Sequence, residues 1–242
     1  MKQETLFISD LHLSPDDPAT TCLFLEFLSR RAAGAAALYI LGDLFDTWIG
    51  DDDDPLPEVR EGLRTLTAAG TTCALMHGNR DFLLGRRFAR ATGCRLLRDG
   101  RRIQLGGEPV LLMHGDLLCT DDVAYLRFRR KVRNPLVQAL FLLKPLAERR
   151  RVAADYRAKS TRAMAAKTTE IMDANPHAVL RRMQRAGVRR MVHGHTHRPA
   201  DHELLVAGRP AVRHVLTDWH ADRGEVLVHD RDGWHREPVT AG

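Results

Sequence analysis

Oxygen- and nitrogen-bearing side chains recur beside glycines along the sequence, in positions that suggest metal binding. They are Asp10, His12, Asp43, Asn79, His114, His195 and His197. The lack of sulfur disfavours Cu(I), and the imidazoles disfavour Ca, so the set suits Mn, Fe, Zn or Co. Seven ligands exceed the need of one tetrahedral ion, whereas two ions about 3.5 to 4 Å apart that share a carboxylate can use them all. Such a pair clamps a phosphate and activates water for in-line attack, so we expect hydrolysis at phosphorus.

A single histidine or aspartate at a strand end is more often a hydrogen-bonded structural group than a metal ligand. Five motifs together make the signal specific: Asp10-x-His12, Gly42-Asp43-x-x-Asp46, Gly78-Asn79, His114-Gly115 and His195-x-His197. Each motif follows or ends an apolar run typical of strands buried on both faces. These runs are residues 5–9, 38–41, 74–76, 110–113 and 191–192. Glycine at these points lets the backbone turn tightly or approach a ligand closely.

Capping residues and apolar periodicity predict helices in the intervals between the runs, at residues 20–31, 57–69, 82–91 and 175–187. Two further strands are expected at residues 213–217 and 225–229. Alternating strands and helices are typical of a layered α/β fold, in which ligands bind at the carboxyl ends of the strands. The motifs are therefore expected to meet at one edge of the sheets.

The spacing of the glycines locates an insertion before the last motif. Gly42 and Gly78 are 36 positions apart and Gly78 and Gly115 are 37 apart, but Gly115 and Gly194 are 79 apart. The extra length coincides with a basic block, residues 125–167, which holds 13 Lys or Arg and two acidic residues. We expect residues 121–172 to form a helical cap insertion over the site, and residues 1–120 and 173–242 to form the core. The insertion is expected to be helical over residues 125–133, 135–146 and 152–172, with the helices punctuated by Pro135 and Pro145.

The composition of the 242 residues excludes several classes of protein. Hydrophobic residues make up 44% and charged residues 28%, as in globular proteins and unlike disordered ones. No apolar run reaches the roughly 18 to 20 residues of a membrane span, and the N-terminus lacks a signal-peptide pattern. Four scattered cysteines form no C-x-x-C pair, so neither a thiolate zinc site nor a disulfide framework is expected. We expect a cytoplasmic protein, and we interpret the acidic run at residues 51–54 as a solvated loop.

In their order along the chain, the five motifs resemble those of the calcineurin-like metallophosphoesterases. The resemblance implies a four-layer αββα sandwich, an α/β fold, with a helical cap insertion. It also implies two metal sites that share Asp43. The first would consist of Asp10, His12, Asp43 and His197, and the second of Asp43, Asn79, His114 and His195.

One motif departs from the family pattern, in which a histidine that helps to protonate the leaving oxygen usually follows the asparagine. Here Arg80 follows Asn79. Arginine is no proton donor at neutral pH, but its planar fork suits a phosphate oxygen. Because a phosphate leaving group has a second pKa of about 6, it leaves without protonation and gains from a nearby cation. Arg80 therefore favours cleavage of a pyrophosphate linkage over a simple monoester, unless it serves as a structural ion-pair partner of Asp81.

In carrying both Arg80 and the insertion, the chain resembles one branch of the calcineurin-like metallophosphoesterases. That branch acts on UDP-2,3-diacylglucosamine in lipid A biosynthesis. The similarity covers nearly the whole chain and implies hydrolysis of this substrate to UMP and 2,3-diacylglucosamine 1-phosphate (lipid X). It also implies two Mn²⁺ ions, catalytic roles for Asp43 and Arg80, and a peripheral location on the cytoplasmic side of the inner membrane. We infer no obligate protein partner from the sequence. The implied substrate contacts are Asn79, Arg80, Asp122, Ser160, Lys167 and His195.

The apolar run at residues 136–146, flanked by basic residues, leaves three uses open. It could line an acyl pocket, dip into a membrane interface, or pack the insertion onto the core.

Two rival functions follow from the same motifs. A basic block could follow a phosphate backbone, so a phosphoesterase of nucleic acid or of a cyclic nucleotide is one alternative. The abundance of Leu and Ala over aromatic residues in the block speaks against nucleic acid as a partner. A non-catalytic scaffold of the same fold is the other alternative, and it would be expected to lack one or more ligands, whereas none is missing.

Overall fold

The computed structural model of the chain describes residues 4–165 and 171–240. The strands are β1 (Thr5–Ile8), β2 (Ala37–Ile40), β3 (Thr72–Met76), β4 (Arg95–Leu97), β5 (Arg101–Leu105), β6 (Glu108–Leu112), β7 (Arg190–His193), β8 (Ala200–Val206), β9 (Arg209–Val215), β10 (Gly224–Asp230) and β11 (Gly233–Val239). The helices are α1 (Pro18–Arg30), α2 (Pro57–Ala68), α3 (Arg86–Thr92), α4 (Val123–Val132), α5 (Pro135–Leu142), α6 (Leu146–Ala165) and α7 (Pro176–Ala186), and a 3₁₀ turn covers Ala32–Gly34. Within the described residues, every helix is too short or too polar to cross a membrane.

The strands form two mixed sheets. The first has six strands in the order β11-β10-β1-β2-β3-β4, and the second has five in the order β5-β6-β7-β9-β8. Strands β1, β2, β3 and β4 run parallel, as do β6, β7 and β9. The carboxyl ends of these parallel strands carry the five motifs, so the two sheets present them together.

Alternating side chains on the strands build three apolar layers. On β1, Leu6 and Ile8 pack with helices α1 and α2 outside the first sheet, whereas Phe7 packs between the two sheets. On β6, Leu111 packs with α7 outside the second sheet, and Val110 faces inward. The predicted four-layer αββα fold is therefore confirmed.

The helical insertion contributes little to this core. Neither α4 nor α5 has a buried residue. Leu136, Leu140 and Leu143 are 75%, 66% and 81% exposed, so one face of α5 is an apolar surface open to solvent.

The predicted helical range over residues 135–146 is interrupted near Pro145, which is expected to punctuate it. α5 ends at Leu142 and α6 begins at Leu146. Pro145 explains the break, because proline disfavours helical backbone at the residue before it. The helix predicted from residue 152 therefore begins six residues earlier, and residues 171–173 lie outside any helix.

The predicted start of α3 at residue 82 is wrong, and the structure places it at Arg86. A carboxylate distant in sequence explains the position. Asp51 accepts hydrogen bonds from the backbone N–H groups of Gly85, Arg87 and Phe88, which are the free donors at this helix end.

The acidic run is a loop, as predicted, but it is not simply solvated. Asp52 accepts a hydrogen bond from Arg149 Nη1 at 2.8 Å, and Asp53 accepts one from Arg150 at 2.7 Å. Both arginines belong to α6. Arg149 is 2% exposed and also donates to the carbonyl of Ile49 at 2.8 Å. This acidic loop therefore holds the insertion to the core.

Candidate metal centre

Five of the seven predicted metal ligands have left-handed backbone conformations. The φ angles are 56° for Asp10, 50° for His12, 53° for Asp43, 70° for His195 and 53° for His197. In the described part of the chain, Ala207 is the one other non-glycine residue with positive φ. Such conformations cost of order 1–3 kcal/mol each and concentrate at functional sites. Strain gathered at these five residues marks the strand ends as a site rather than a set of ordinary turns.

The first group of ligand atoms comes from Asp10, His12 and His197, and these atoms lie within 4.8 Å of one another. His197 Nε2 lies 3.3 Å from His12 Nε2 and 3.5 Å from Asp10 Oδ1. Two imidazole nitrogens at this distance require a proton or a cation between them. Asp10 Oδ1 is buried and has no hydrogen-bond partner within the described residues. Because an orphaned buried carboxylate oxygen is costly, the group fits a bound cation.

The second group of ligand atoms comes from Asp10, Asp43 and His114, and these atoms lie within 4.8 Å of one another. The predicted ligands Asn79 and His195 lie beside His114. His114 Nε2 lies 3.0 Å from Asn79 Oδ1 and 3.9 Å from Asp43 Oδ2. The rings of His114 and His195 meet edge to face, with centroids 4.9 Å apart. His114 Nδ1 donates to the carbonyl of Leu41 at 2.9 Å, which leaves Nε2 facing the oxygens. A ring nitrogen fixed in this way is usual for a metal-ligating histidine.

The Asp43 carboxylate belongs to the second group and also faces His12 of the first. Its Oδ2 is 3.9 Å from His12 Nδ1 and 3.9 Å from His114 Nε2. Its Oδ1 accepts a hydrogen bond from the backbone N–H of Arg80 at 2.9 Å. A Cβ atom at Gly78 would stand 2.0 Å from Asp43 Oδ1, so the close approach of the two loops requires glycine there.

Two histidines have raised pKa values because carboxylates surround them. Burial disfavours the imidazolium of His114, but the charges of Asp43 and Asp10 outweigh it and raise the pKa of His114 to about 9. Burial is likewise outweighed at His197, where the nearby carboxylates of Asp10 and Asp218 raise the pKa to about 10. Each imidazole therefore carries a proton or a cation where its nitrogen meets the carboxylates.

The other two histidines behave in the opposite way. Burial lowers the pKa of His12 to about 3 and that of His195 to about 4. Burial also raises the pKa of the Asp43 carboxyl to about 7, although the charge of His114 opposes it. The site thus brings imidazole nitrogens and carboxylate oxygens together, which is the donor set that a transition-metal ion prefers.

Arg80 does not pair with Asp81. The Asp81 carboxylate is fully buried and accepts hydrogen bonds from the backbone N–H groups of Leu44 and Gly78, both at 2.8 Å. Arg80 Nη1 donates instead to Asp46 Oδ1 at 3.2 Å, and its Nε lies 3.9 Å from Asp43 Oδ2. Its guanidinium therefore lies beside the metal centre.

The structure places some of the predicted substrate contacts at the metal centre and others away from it. Asn79, Arg80 and His195 lie in or beside the second ligand group. Asp122 begins α4, where its carboxylate accepts from the backbone N–H of Tyr125 at 3.0 Å. Ser160 is exposed on α6 and Lys167 lies outside the described residues. On α6, Arg157, three residues before Ser160, donates to Asp46, the carboxylate that Arg80 also contacts.

Sequence reasoning missed residues that orient the ligands. Asp218 Oδ2 lies 3.4 Å from His197 Nδ1, and Asp99 accepts a hydrogen bond from the backbone N–H of His114 at 3.1 Å. Neither aspartate lies in a motif, so the sequence carries no local signal for them.

Comparisons with known proteins agree with this geometry. The family model for calcineurin-like phosphoesterases matches residues 4–199. A Klebsiella pneumoniae protein named UDP-2,3-diacylglucosamine hydrolase is 53% identical over 230 residues, which cover 94% of this chain and 96% of that protein. A protein of the same name from Azotobacter vinelandii is 51% identical over 236 residues, covering 97% and 98%.

A solved structure of an archaeal phosphodiesterase is similar in fold, with a TM-score of 0.50 and 10% identity. The match covers 98% of this chain and 99% of that one.

Proposed function

Because the chain belongs to the calcineurin-like phosphoesterase family and is a metal-dependent hydrolase, we propose that it hydrolyses the pyrophosphate bond of UDP-2,3-diacylglucosamine. The products are UMP and 2,3-diacylglucosamine 1-phosphate, an intermediate of lipid A biosynthesis. The names of the relatives from Klebsiella pneumoniae and Azotobacter vinelandii support the choice of substrate.

The metal sites in this proposal hold two Mn²⁺ ions. Asp10, His12, Asp43 and His197 hold the first ion, and Asp43, Asn79, His114 and His195 hold the second. The ions, when bound, polarise the phosphoryl oxygens and activate water for in-line attack. The position of Asp43, with one oxygen 3.9 Å from a nitrogen of each group, supports its role as the shared ligand.

The observation that carries the reaction type is the position of Arg80. Its guanidinium lies beside Asp43 and Asp46 rather than on Asp81, so it is available to a phosphate at the metal centre. A fixed cation there stabilises the charge that develops on a phosphate leaving group without a proton transfer. Arg80 thus binds and neutralises the departing phosphate, and Asn79 and His195 contact the scissile end of the substrate.

In this proposal the chain consists of a core, residues 1–120 and 173–242, and a helical insertion, residues 121–172. The rest of the substrate lies under the insertion. Asp122, Ser160 and Lys167 contact the glucosamine head group in this proposal. Asp122 supports it by its position at the start of α4, the helix whose Tyr125 ring lies 6.2 Å from the ring of His195.

The exposed face of α5 supports a peripheral location on the cytoplasmic side of the inner membrane. Leu136, Leu140 and Leu143 form one apolar face, and the exposed Lys131 and Arg151 lie near its two ends in the sequence. Apolar side chains beside cations suit the interface of an anionic membrane. A lipid substrate could then enter from the bilayer, with no nucleic acid or obligate protein partner involved.

Hydrolysis assays with Mn²⁺ test the proposal. We expect UDP-2,3-diacylglucosamine to be cleaved with a kcat/KM at least about 10²-fold above that for UDP-N-acetylglucosamine, a gap of about 2.7 kcal/mol in transition-state binding. A chelator provides the control, and it should abolish the activity. Cleavage of a cyclic nucleotide or single-stranded DNA in place of the lipid would contradict the substrate, and inactivity on all of them would favour a scaffold.

A further inference from the structure

Asp116 is a buried carboxylate at the end of β6 that the metal ligand set does not use. It lies two residues after His114, and its side chain is fully buried. Within the described residues, neither group of ligand atoms that could hold a metal ion includes it. A buried carboxylate is costly unless it is paired and hydrogen-bonded, so its partners indicate what it does.

Both partners of Asp116 belong to α4. Asp116 Oδ2 accepts a hydrogen bond from the Tyr125 hydroxyl at 2.6 Å and another from Arg129 Nε at 2.5 Å. Tyr125 and Arg129 are four residues apart and therefore share one face of the helix. Because α4 has no buried residue, this face is held to the core by directed polar contacts rather than by an apolar stripe.

The same contacts place α4 relative to the metal centre. The Tyr125 ring lies 6.2 Å from the His195 ring, at an interplanar angle of 31°. Arg129 also donates to Asp99 at 3.4 Å, and Asp99 holds the backbone N–H of His114 at 3.1 Å. Two predicted metal ligands are thus linked to α4, His195 through Tyr125 and His114 through Asp99 and Arg129.

We propose that Asp116 is a positioning residue. Through its hydrogen bonds with Tyr125 and Arg129 it holds α4 next to His195, and α4 then forms the side of the substrate site that lies between the metal centre and the insertion. The inference rests on the proposed function, because that side is where the head group of a lipid nucleotide would lie. Asp116 itself contacts neither substrate nor metal. Its loss should therefore weaken substrate binding more than the chemical step.

Steady-state kinetics on UDP-2,3-diacylglucosamine with the Mn²⁺-loaded full chain test this role. Asp116→Asn removes the charge, and Tyr125→Phe removes one hydroxyl and keeps the ring. We expect each to raise KM about tenfold, equivalent to about 1.4 kcal/mol, with kcat within about twofold and manganese content unchanged. Tyr156→Phe is the matched control, because Tyr156 is a half-exposed tyrosine of α6, and its KM should stay that of the wild type.

Amide hydrogen exchange gives a second measurement that does not need the substrate. In Asp116→Asn, residues 123–132 should exchange faster than in the wild type, and the amides of α7 should not change. An unchanged KM in Tyr125→Phe, a loss confined to kcat, a loss of bound manganese, or unchanged exchange in α4 would each overturn the inference. If the wild type does not cleave the lipid nucleotide, the proposed function fails and the exchange experiment still decides the role of Asp116. If Asp116→Asn does not fold, Tyr125→Phe decides it.

Discussion

The strand ends and the helical insertion are built in opposite ways. At the strand ends, Asp10 and Asp43 are fully or almost fully buried and have left-handed backbone, so their positions are determined by two packed sheets. In the insertion, α4 and α5 bury no residue. Arginine side chains of its described helices and loops reach carboxylates and carbonyls of the core. Arg133, for example, donates to the carbonyl of Gly78 at 2.6 Å, next to Asn79.

Because the two regions are built differently, they can contribute to different parts of the function. Closely packed sheets tolerate backbone strain and can hold several ligands in one geometry, which chemistry at phosphorus requires. Helices held by a few polar contacts can be displaced at a smaller energetic cost, and they leave apolar surface for a lipid. We therefore expect changes at the strand ends to affect the chemical step, and changes in the insertion to affect stability, lipid binding and membrane binding.

The largest effect is expected at the shared carboxylate. Asp43→Ala removes the carboxylate that the proposal shares between the two metal sites, so the variant should lose bound metal and at least about 10⁴-fold in kcat/KM, as when one member of a catalytic set is deleted. Metal analysis of the purified protein and hydrolysis assays measure this. Asp16→Ala, which removes an exposed aspartate, is the control. Two tightly held ions and normal turnover in Asp43→Ala would contradict the two-metal arrangement.

Substitutions of Arg80 and of its neighbour Asp81 should affect different properties, the rate of hydrolysis at Arg80 and the stability of the fold at Asp81. Arg80→Ala should lose about 10² to 10³ in kcat, as on removal of one preorganised charge-stabilising donor, with little change in Tm. Asp81→Asn should instead lower the free energy of unfolding by about 1–3 kcal/mol, because the buried carboxylate holds two backbone N–H groups. Kinetics and thermal unfolding of both variants check this, and a folded Arg80→Ala with wild-type kcat/KM would refute the role of Arg80.

The same contrast explains which features the sequence could predict. The strands before the motifs and helix α7 follow from local patterns: α7 begins after the N-cap Asn175 and ends before the C-cap Gly187, whose φ is 63°. Buried apolar runs and capping residues act over a few positions, so they can be read from the sequence. The edge strands β4, β5, β8 and β11 are short or half-exposed, and their weak apolar pattern gives no signal.

Some contacts within the core, and others between the core and the insertion, could not be predicted because they join residues distant in the sequence. Asp51 caps α3 from 34 positions away, and Arg149 reaches Asp52 across 97 positions. The left-handed backbone of the ligands also has no local signal, since Asp and His at strand ends are compatible with ordinary turns. These features depend on the packed sheets, not on the segment in which they occur.

The contact between Arg149 and the acidic loop should carry much of the stability of the insertion. Arg149→Ala removes a buried guanidinium that bonds Asp52 and the carbonyl of Ile49, so we expect a loss of about 1–3 kcal/mol in urea unfolding. Arg150→Ala is the matched control, since its pair with Asp53 is at the surface and should matter much less. Equal shifts of the unfolding midpoint in both variants would show that burial of Arg149 is not what holds α6.

The smallest effect is expected on the exposed face of α5, and it concerns membrane binding alone. Inserting Leu140 into a bilayer interface would bury a side chain that is 66% exposed, and full burial of a leucine contributes about 1.5–3 kcal/mol. Leu140→Asp should therefore weaken binding to phosphatidylglycerol-containing vesicles about tenfold in a sedimentation assay. Leu205→Asp on β8 is the control, because Leu205 is 63% exposed and lies outside the insertion. If both variants bind vesicles equally well, α5 does not dock on the membrane and its exposed leucines need another explanation.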